Sequence, residues 1–204
     1  MALQILRHLK DLRMQVIHAP DADGKALVEQ LSRIGCTFQT TWPIPETIAP
    51  NIDVVFVSVD PEFRTQIMKL CSFGQMTPPT LIAITDYEDP GTLQTVLECG
   101  ALAMVERPIK PFGLLSNLTI ARSLWVDRQD QAKRIRKLER KLTGTNKIAK
   151  AKSIIMETQR VSEQEAYETI RQQAMSKRIP MDDLANSIIN AHELLTSRLS
   201  TLKS

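Results

Sequence analysis

The apolar run Val54–Val57 ends on Ser58, and Asp60 follows two residues later with the same strand parity. Upstream, the strand candidate "LRMQVIHA" (residues 12–19) closes on His18 and Ala19, with Pro20, Asp21 and Asp23 just beyond. Two or three carboxylates gathered at strand ends can hold Mg²⁺, which prefers octahedral oxygen ligation. An aspartate beside them can act as the nucleophile in phosphoryl transfer. Here the first strand ends without an acid, and the second ends on a hydroxyl. The chain therefore lacks the carboxylates that this chemistry needs at the positions that need them. Asp60 precedes Pro61, a pair that suits a helix N-cap followed by proline in the first turn. Asp60 as a displaced phosphoryl acceptor is the alternative.

No other chemistry is better supplied. His8, His18 and His192 are scattered, and no nucleophile or second acid stands at a telling distance from any of them. The glycines form no phosphate loop of the G-x-x-x-x-G-K type. Cys36, Cys71 and Cys99 are far apart in sequence, form no C-x-x-C, and read as small buried hydrophobes in a reducing compartment. We therefore expect no catalytic residue, no metal and no cofactor. The apolar fraction of 43% and charged fraction of 24% are those of an ordinary soluble globular chain. An aromatic content of 4% argues against stacking platforms for single-stranded nucleic acid. Charges at Arg7, Lys10 and Asp11 break the first apolar stretch, and no run approaches the roughly 20 residues of a membrane span. A cytoplasmic protein is expected.

The elements that would position such residues fall into modules of opposite charge. Residues 1–120 carry 9 Lys and Arg against 13 Asp and Glu, whereas residues 121–204 carry 17 against 10. A mildly acidic front and a basic back suggest that the second module faces a polyanion. In the front, strand candidates at 12–19, 36–42, 53–59, 80–85 and 101–108 alternate with helical patterns at 22–35, 61–74 and 89–100. These helices are closed by Gly35, Gly74 and Gly100. That alternation predicts a doubly wound α/β parallel sheet.

From residue 113 the pattern becomes continuous helix. Ala121, Leu124, Ile135, Leu138 and Leu142 fit one heptad frame, with Arg128 and Gln131 as its imperfect seam positions. A dimerising coiled coil is one reading; an amphipathic helix packed on its own module is the other. Gly144 marks a kink or boundary. Three short helical patterns follow, with apolar stripes Ile148/Ala151/Ile155/Met156, Ala166/Tyr167/Ile170/Ala174 and Leu184/Ala185/Ile188/Ile189. Ser162 and Glu165 are spaced as a capping box at the start of the second. They predict an all-α three-helix bundle. The expected modules are residues 1–112, 113–144 and 145–204.

At this point two families are resembled. The order and lengths of elements over 12–120 resemble a response-regulator receiver, in which "GALAMVERPIKP" matches the last strand and turn. Arg107 stands at the receiver's lysine position before Pro108, and Thr85 at its phosphoryl-touching hydroxyl position. On that likeness Ser58 is the degenerate phosphoacceptor, and the module is a pseudo-receiver.

Residues 148–189, "IAKAKSIIMETQRVSEQEAYETIRQQAMSKRIPMDDLANSII", resemble the ANTAR domain of bacterial transcription antiterminators. The resemblance implies an RNA-binding bundle, in which Lys147, Lys150, Lys152, Arg160, Arg171, Lys177 and Arg178 surround the core and neutralise phosphates. It also implies a target in leader mRNA with paired stem-loops bearing hexanucleotide loops, and a homodimer joined through the coiled coil. Within that family, "LSRIGC" (31–36), Trp42-Pro43, Pro45-Glu46 and "DVVFVS" resemble the branch serving amidase operons. That branch implies an amide-sensing negative regulator, built like a periplasmic binding protein, as partner. Two rivals are a phosphorylation-switched regulator with Asp60 as acceptor, and a DNA-binding response regulator. Against the second, the last helix opens on Asp182 and Asp183, acids that would meet DNA phosphates badly.

Overall fold

Two apolar stretches buried along their whole length set the sheet. In the computed structural model, which describes residues 9–72, 77–86, 89–110 and 112–201, they are β3 (Val54–Ser58) and β4 (Thr80–Thr85). Every residue of both is buried, as strands covered on two faces must be. With β1 (Arg13–Ile17), β2 (Thr37–Thr41) and β5 (Ala103–Glu106) they form a parallel sheet in the order β2-β1-β3-β4-β5. This is the doubly wound order, and the chain reverses its direction of travel between β1 and β3.

The helices begin and end where local chemistry directs. Asp21 caps α1 (Ala22–Ile34) by accepting from the Gly24 amide at 2.8 Å, and Gly35 closes it at φ 83°. The expected 61–74 helix is a 3₁₀ turn (Pro61–Phe63) followed by α2 (Arg64–Cys71). It stops before Gly74, which lies outside the described residues. Asp89 caps α3 (Pro90–Glu98) through the Gly91 and Thr92 amides. On one sheet face, Leu27 and Leu31 of α1 pack with Leu114, Leu118 and Ala121 against Met14, Val16, Val54, Phe56 and Ile82. On the other, Ile67 and Leu70 of α2 and Val96 and Cys99 pack against Ile17, Val55, Val57, Leu81 and Ala83. Cys71 and Cys99, distant in sequence, both lie in this second layer, and the neighbouring Cys99 thiol together with burial pushes the Cys71 thiol above its usual range.

The 46-residue helix α4 (Leu114–Gln159) begins in the sheet module. Its first turns are fixed by burial and by polar anchors: Arg122 donates to Thr80 Oγ1 (3.1 Å) and lies 4.1 Å over the Trp125 ring, whose Nε1 donates to the Pro78 carbonyl (2.7 Å). The chain divides into two compact units, residues 1–130 and 131–204, and the division falls within α4. Gly144, expected as a kink or boundary, is an interior residue of the unbroken helix.

In the second unit, the later part of α4 packs with α5 (Glu163–Lys177) and α6 (Met181–Thr201). The core is Ala151, Ile155, Ala166, Ile170, Ala174, Leu184, Ala185 and Ile189. The Ser162/Glu165 capping box is formed, with the Ser162 amide donating to Glu165 Oε2 at 2.9 Å. Tyr167, expected in the apolar stripe, is 40% exposed, and Ile154 and Val161 supply packing that the stripe did not include. Gly144 is buried, and a Cβ there would lie 3.4 Å from the Asp182 Cβ, so the start of α6 rests against α4 at this residue.

Candidate functional site

The switch point of a doubly wound sheet opens a crevice at the carboxyl ends of its strands. Here that crevice is filled by the chain itself. Ser58, at the end of β3, is 1% exposed and donates through Oγ to Asp60 Oδ2 at 2.5 Å. Arg107, just after β5, reaches back with Nη1 to Asp60 Oδ1 (3.0 Å) and Asp86 Oδ1 (2.9 Å), while its Nη2 donates to Ser58 Oγ. Burial pushes the Asp60 carboxyl up. The hydrogen bonds from Arg107 and Ser58 and the Arg107 charge outweigh this and hold it below the ordinary carboxylate value. Burial likewise works against the Arg107 charge, but Asp60 and Asp86 raise its pKa above the usual guanidinium value. Asp60 is thus an ion-pair partner. It stands at the N-cap position of the 3₁₀ turn, but its side chain makes no cap hydrogen bond, contrary to the sequence expectation.

The acids near β1 are spoken for as well. Asp21 caps α1, and Asp23 Oδ1 accepts from the Ile109 amide at 2.8 Å, tying the β1–α1 turn to the segment after β5. His18 occupies the end of β1 with its side chain 1% exposed. Its Nδ1 lies 2.9 Å from the Ala19 carbonyl, and its Nε2 has no partner. A receiver fold implies Mg²⁺ at this place, but these residues do not fit it. The nearest carboxylates are engaged, a guanidinium stands over the acceptor position, and no cluster of three His, Cys, Asp or Glu among the described residues could hold a metal. Thr85 is buried at the end of β4, and its carbonyl accepts the Arg107 amide at 2.9 Å.

In the second unit the seven basic residues do not form one cluster. Lys152 pairs with Glu163 at the start of α5, and Arg160 follows α4 in a left-handed conformation (φ 55°). Lys177 and Arg178 stand at the opposite end of the 15-residue α5, and Arg178 (φ 54°) forms its left-handed C-cap. Lys147 and Lys150 lie on α4. Lys150 pairs with Glu193 of α6 at 2.7 Å, and Arg171 with Glu168 on its own helix at 3.3 Å. Three of the seven cations therefore carry an internal counter-charge. Sequence reasoning could not see this, because Lys150 and Glu193 are 43 residues apart.

The heptad positions of α4 divide. Ala121 is fully buried in the sheet module, while Leu124, Ile135, Leu138 and Leu142 are 44–65% exposed. No helix among the described residues is long and apolar enough to cross a membrane.

Comparison with known proteins supplies the context. Residues 12–122 match the family model "AmiR, N-terminal", and residues 136–189 match the ANTAR domain. The aliphatic amidase regulator of Pseudomonas aeruginosa is 30% identical over 190 residues, covering 92% of this chain and 96% of that protein. Among solved structures, a response regulator receiver protein from Burkholderia phymatum covers 55% of this chain and 95% of its own (20% identity, TM-score 0.45). A protein described as a two-component response regulator with a GGDEF domain covers 61% of this chain and 54% of its own (16% identity, TM-score 0.51).

Proposed function

Because the chain belongs to the family that joins an AmiR-type N-terminal module to an ANTAR domain, we propose that it is an RNA-binding transcription antiterminator of an amidase-type operon, released by a ligand-sensing protein partner rather than by phosphorylation. The bundle takes leader mRNA stem-loops and, by holding them, keeps a competing terminator from folding. No covalent step is needed; the RNA population shifts toward the form that the protein binds. Lys147, Lys150, Lys152, Arg160, Arg171, Lys177 and Arg178 neutralise phosphates or reach bases in the loops. Two chains joined along Leu124, Ile135, Leu138 and Leu142 present two bundles, and linkage raises the effective concentration of the second for a second hairpin.

The observation that carries this reading is that an ANTAR match falls on a compact basic bundle in the same chain as a receiver fold whose acceptor crevice Arg107 fills. A crevice closed by its own ion pairs is poorly suited to receive a phosphoryl signal, so the signal is read as the arrival or departure of a protein. The partner inferred is an amide-sensing negative regulator of periplasmic-binding-protein build, which masks the antiterminator until its ligand binds. The test is transcription in vitro from a template carrying a leader terminator, with purified protein and no phosphoryl donor. Increased read-through supports the proposal. Read-through that appears only with a phosphoryl donor and Mg²⁺ transfers the switch to Asp60, and none under either condition rejects antitermination by this chain alone.

A further inference from the structure

A further set of cations in the second unit lies outside the seven residues discussed above. A groove of about 450 Å³ on α4 is lined wholly by cations: Lys133, Arg136, Lys137, Arg140 and Lys141. Among the described residues Arg136, Lys137, Arg140 and Lys141 make no ion pair, unlike Lys150, Lys152 and Arg171. All four are exposed. At about 100° per residue they share one helix face, and Ile135, Leu138 and Leu142 fall roughly opposite. If that apolar seam is covered by a second copy, the basic face still points away from it.

The same face leads directly to the bundle. One turn on it carries Gly144, and further on Ala151 and Ile155 of the bundle core. The approach of Asp182 to Gly144 places the α5–α6 turn, with Lys177 and Arg178, at the end of the bundle where the basic groove begins. Asp182 and Asp183 are the acids at this junction, and both lie in the first turn of α6, where its helix dipole favours them.

We infer that Arg136, Lys137, Arg140 and Lys141 form a phosphate-backbone track for the stem of the RNA whose loop the bundle takes. The groove lacks the apolar or aromatic anchor on which a protein interface centres, and a run of exposed cations along one helix face suits a polyanion. The inference rests on the RNA-binding reading above and extends the footprint from loop to stem. The track carries affinity and salt dependence, not sequence preference.

The test uses the full-length chain and a two-hairpin RNA, with binding followed from 0.05 to 0.3 M salt for wild type and for R136Q/K137Q/R140Q/K141Q. A control, K10Q/K25Q/R33Q/K69Q, removes equal charge from the sheet module. Circular dichroism and sedimentation establish that each variant keeps its helicity and association state. With one phosphate per side chain, the α4 variant should have a log–log salt slope shallower by about 3 per protomer. Its affinity at low salt should fall at least tenfold, while the loop-sequence preference stays that of wild type and the control is unaffected. Wild-type binding with an unchanged slope in the α4 variant overturns the track and leaves the antiterminator reading intact. An equal loss in the control also overturns it, since charge alone is then sufficient. No wild-type binding overturns both.

Discussion

Arg107 donates to Asp60 at 3.0 Å across 47 residues of sequence, and the same guanidinium also engages Ser58 and Asp86. The crevice in which a receiver would take its signal has become a strut between the ends of β3, β4 and β5. Its bonds hold the three strand ends in place, and its chemistry is spent on that.

The strut has a pH signature. Asp60 is held below its ordinary value, about 3.9 when unfolded, so its pairing stabilises the fold fully above about pH 4 and is lost as pH falls through the lower folded value. Asp60→Asn is expected to cost about 1–2 kcal/mol at pH 7 by denaturant unfolding of the full chain. The difference from wild type should shrink as the pH drops from about 4 toward 2. A difference that is constant with pH would mean that the charge of Asp60 contributes nothing.

Restoring the missing carboxylate should not restore phosphorylation. In Ser58→Asp the new acid is expected to pair with Arg107, with His18 and Ala19 still standing where metal-binding acids would be needed. Intact-mass spectra of wild type and variant, each incubated with a small phosphoryl donor and Mg²⁺, should show no phosphoryl adduct. An adduct on wild type that disappears in Asp60→Asn would establish the displaced-acceptor alternative.

Arg178 separates stability from binding. A left-handed φ of 54° is uncomfortable for any residue with a Cβ, and helix C-caps of this kind favour glycine. Arg178→Gly should therefore raise unfolding stability by about 0.5–1 kcal/mol, while RNA affinity falls. A variant that gains stability and binds RNA as before would remove Arg178 from the interface.

The exposed seam of α4 predicts association. Leu138 is 65% exposed, although it sits in a stripe with Ile135 and Leu142, and an aspartate there would put a charge into any seam formed between copies. Sedimentation should show wild type as a dimer and Leu138→Asp as a monomer. Unfolding of the sheet module should be unchanged, since its core does not include this residue. A wild-type monomer would leave the stripe without a role.

What could be read from the sequence depended on range. β3 and β4 were legible because continuous apolar runs between turn signals leave few alternatives, and α1 because its helical pattern runs to a local stop at Gly35; its N-cap, Asp21, was not read as one. Asp60 takes the N-cap position that was read for it, but its side chain turns from the turn's amides to Arg107, a partner brought to it only by the parallel crossover of the sheet. Gly144 was read as a break, since glycine costs a helix interior about 1 kcal/mol. The helix continues because burial of its flanks on α5 and α6 outweighs that cost. Tyr167 sits beside Ala166 at the edge of the stripe, where spacing alone does not separate covered from open. The pairing of Lys150 with Glu193 and of Lys152 with Glu163 carried no sequence signal at all.

On the proposed function, this bundle binds RNA hairpins without prior phosphorylation. The most direct measurement is a gel shift of the unmodified full-length chain against a two-hairpin RNA and duplex DNA of equal length, repeated with Lys152→Ala and Arg171→Ala. Selective RNA binding that both substitutions weaken is the expected result. Equal or tighter binding to DNA, or RNA binding indifferent to both substitutions, would contradict it.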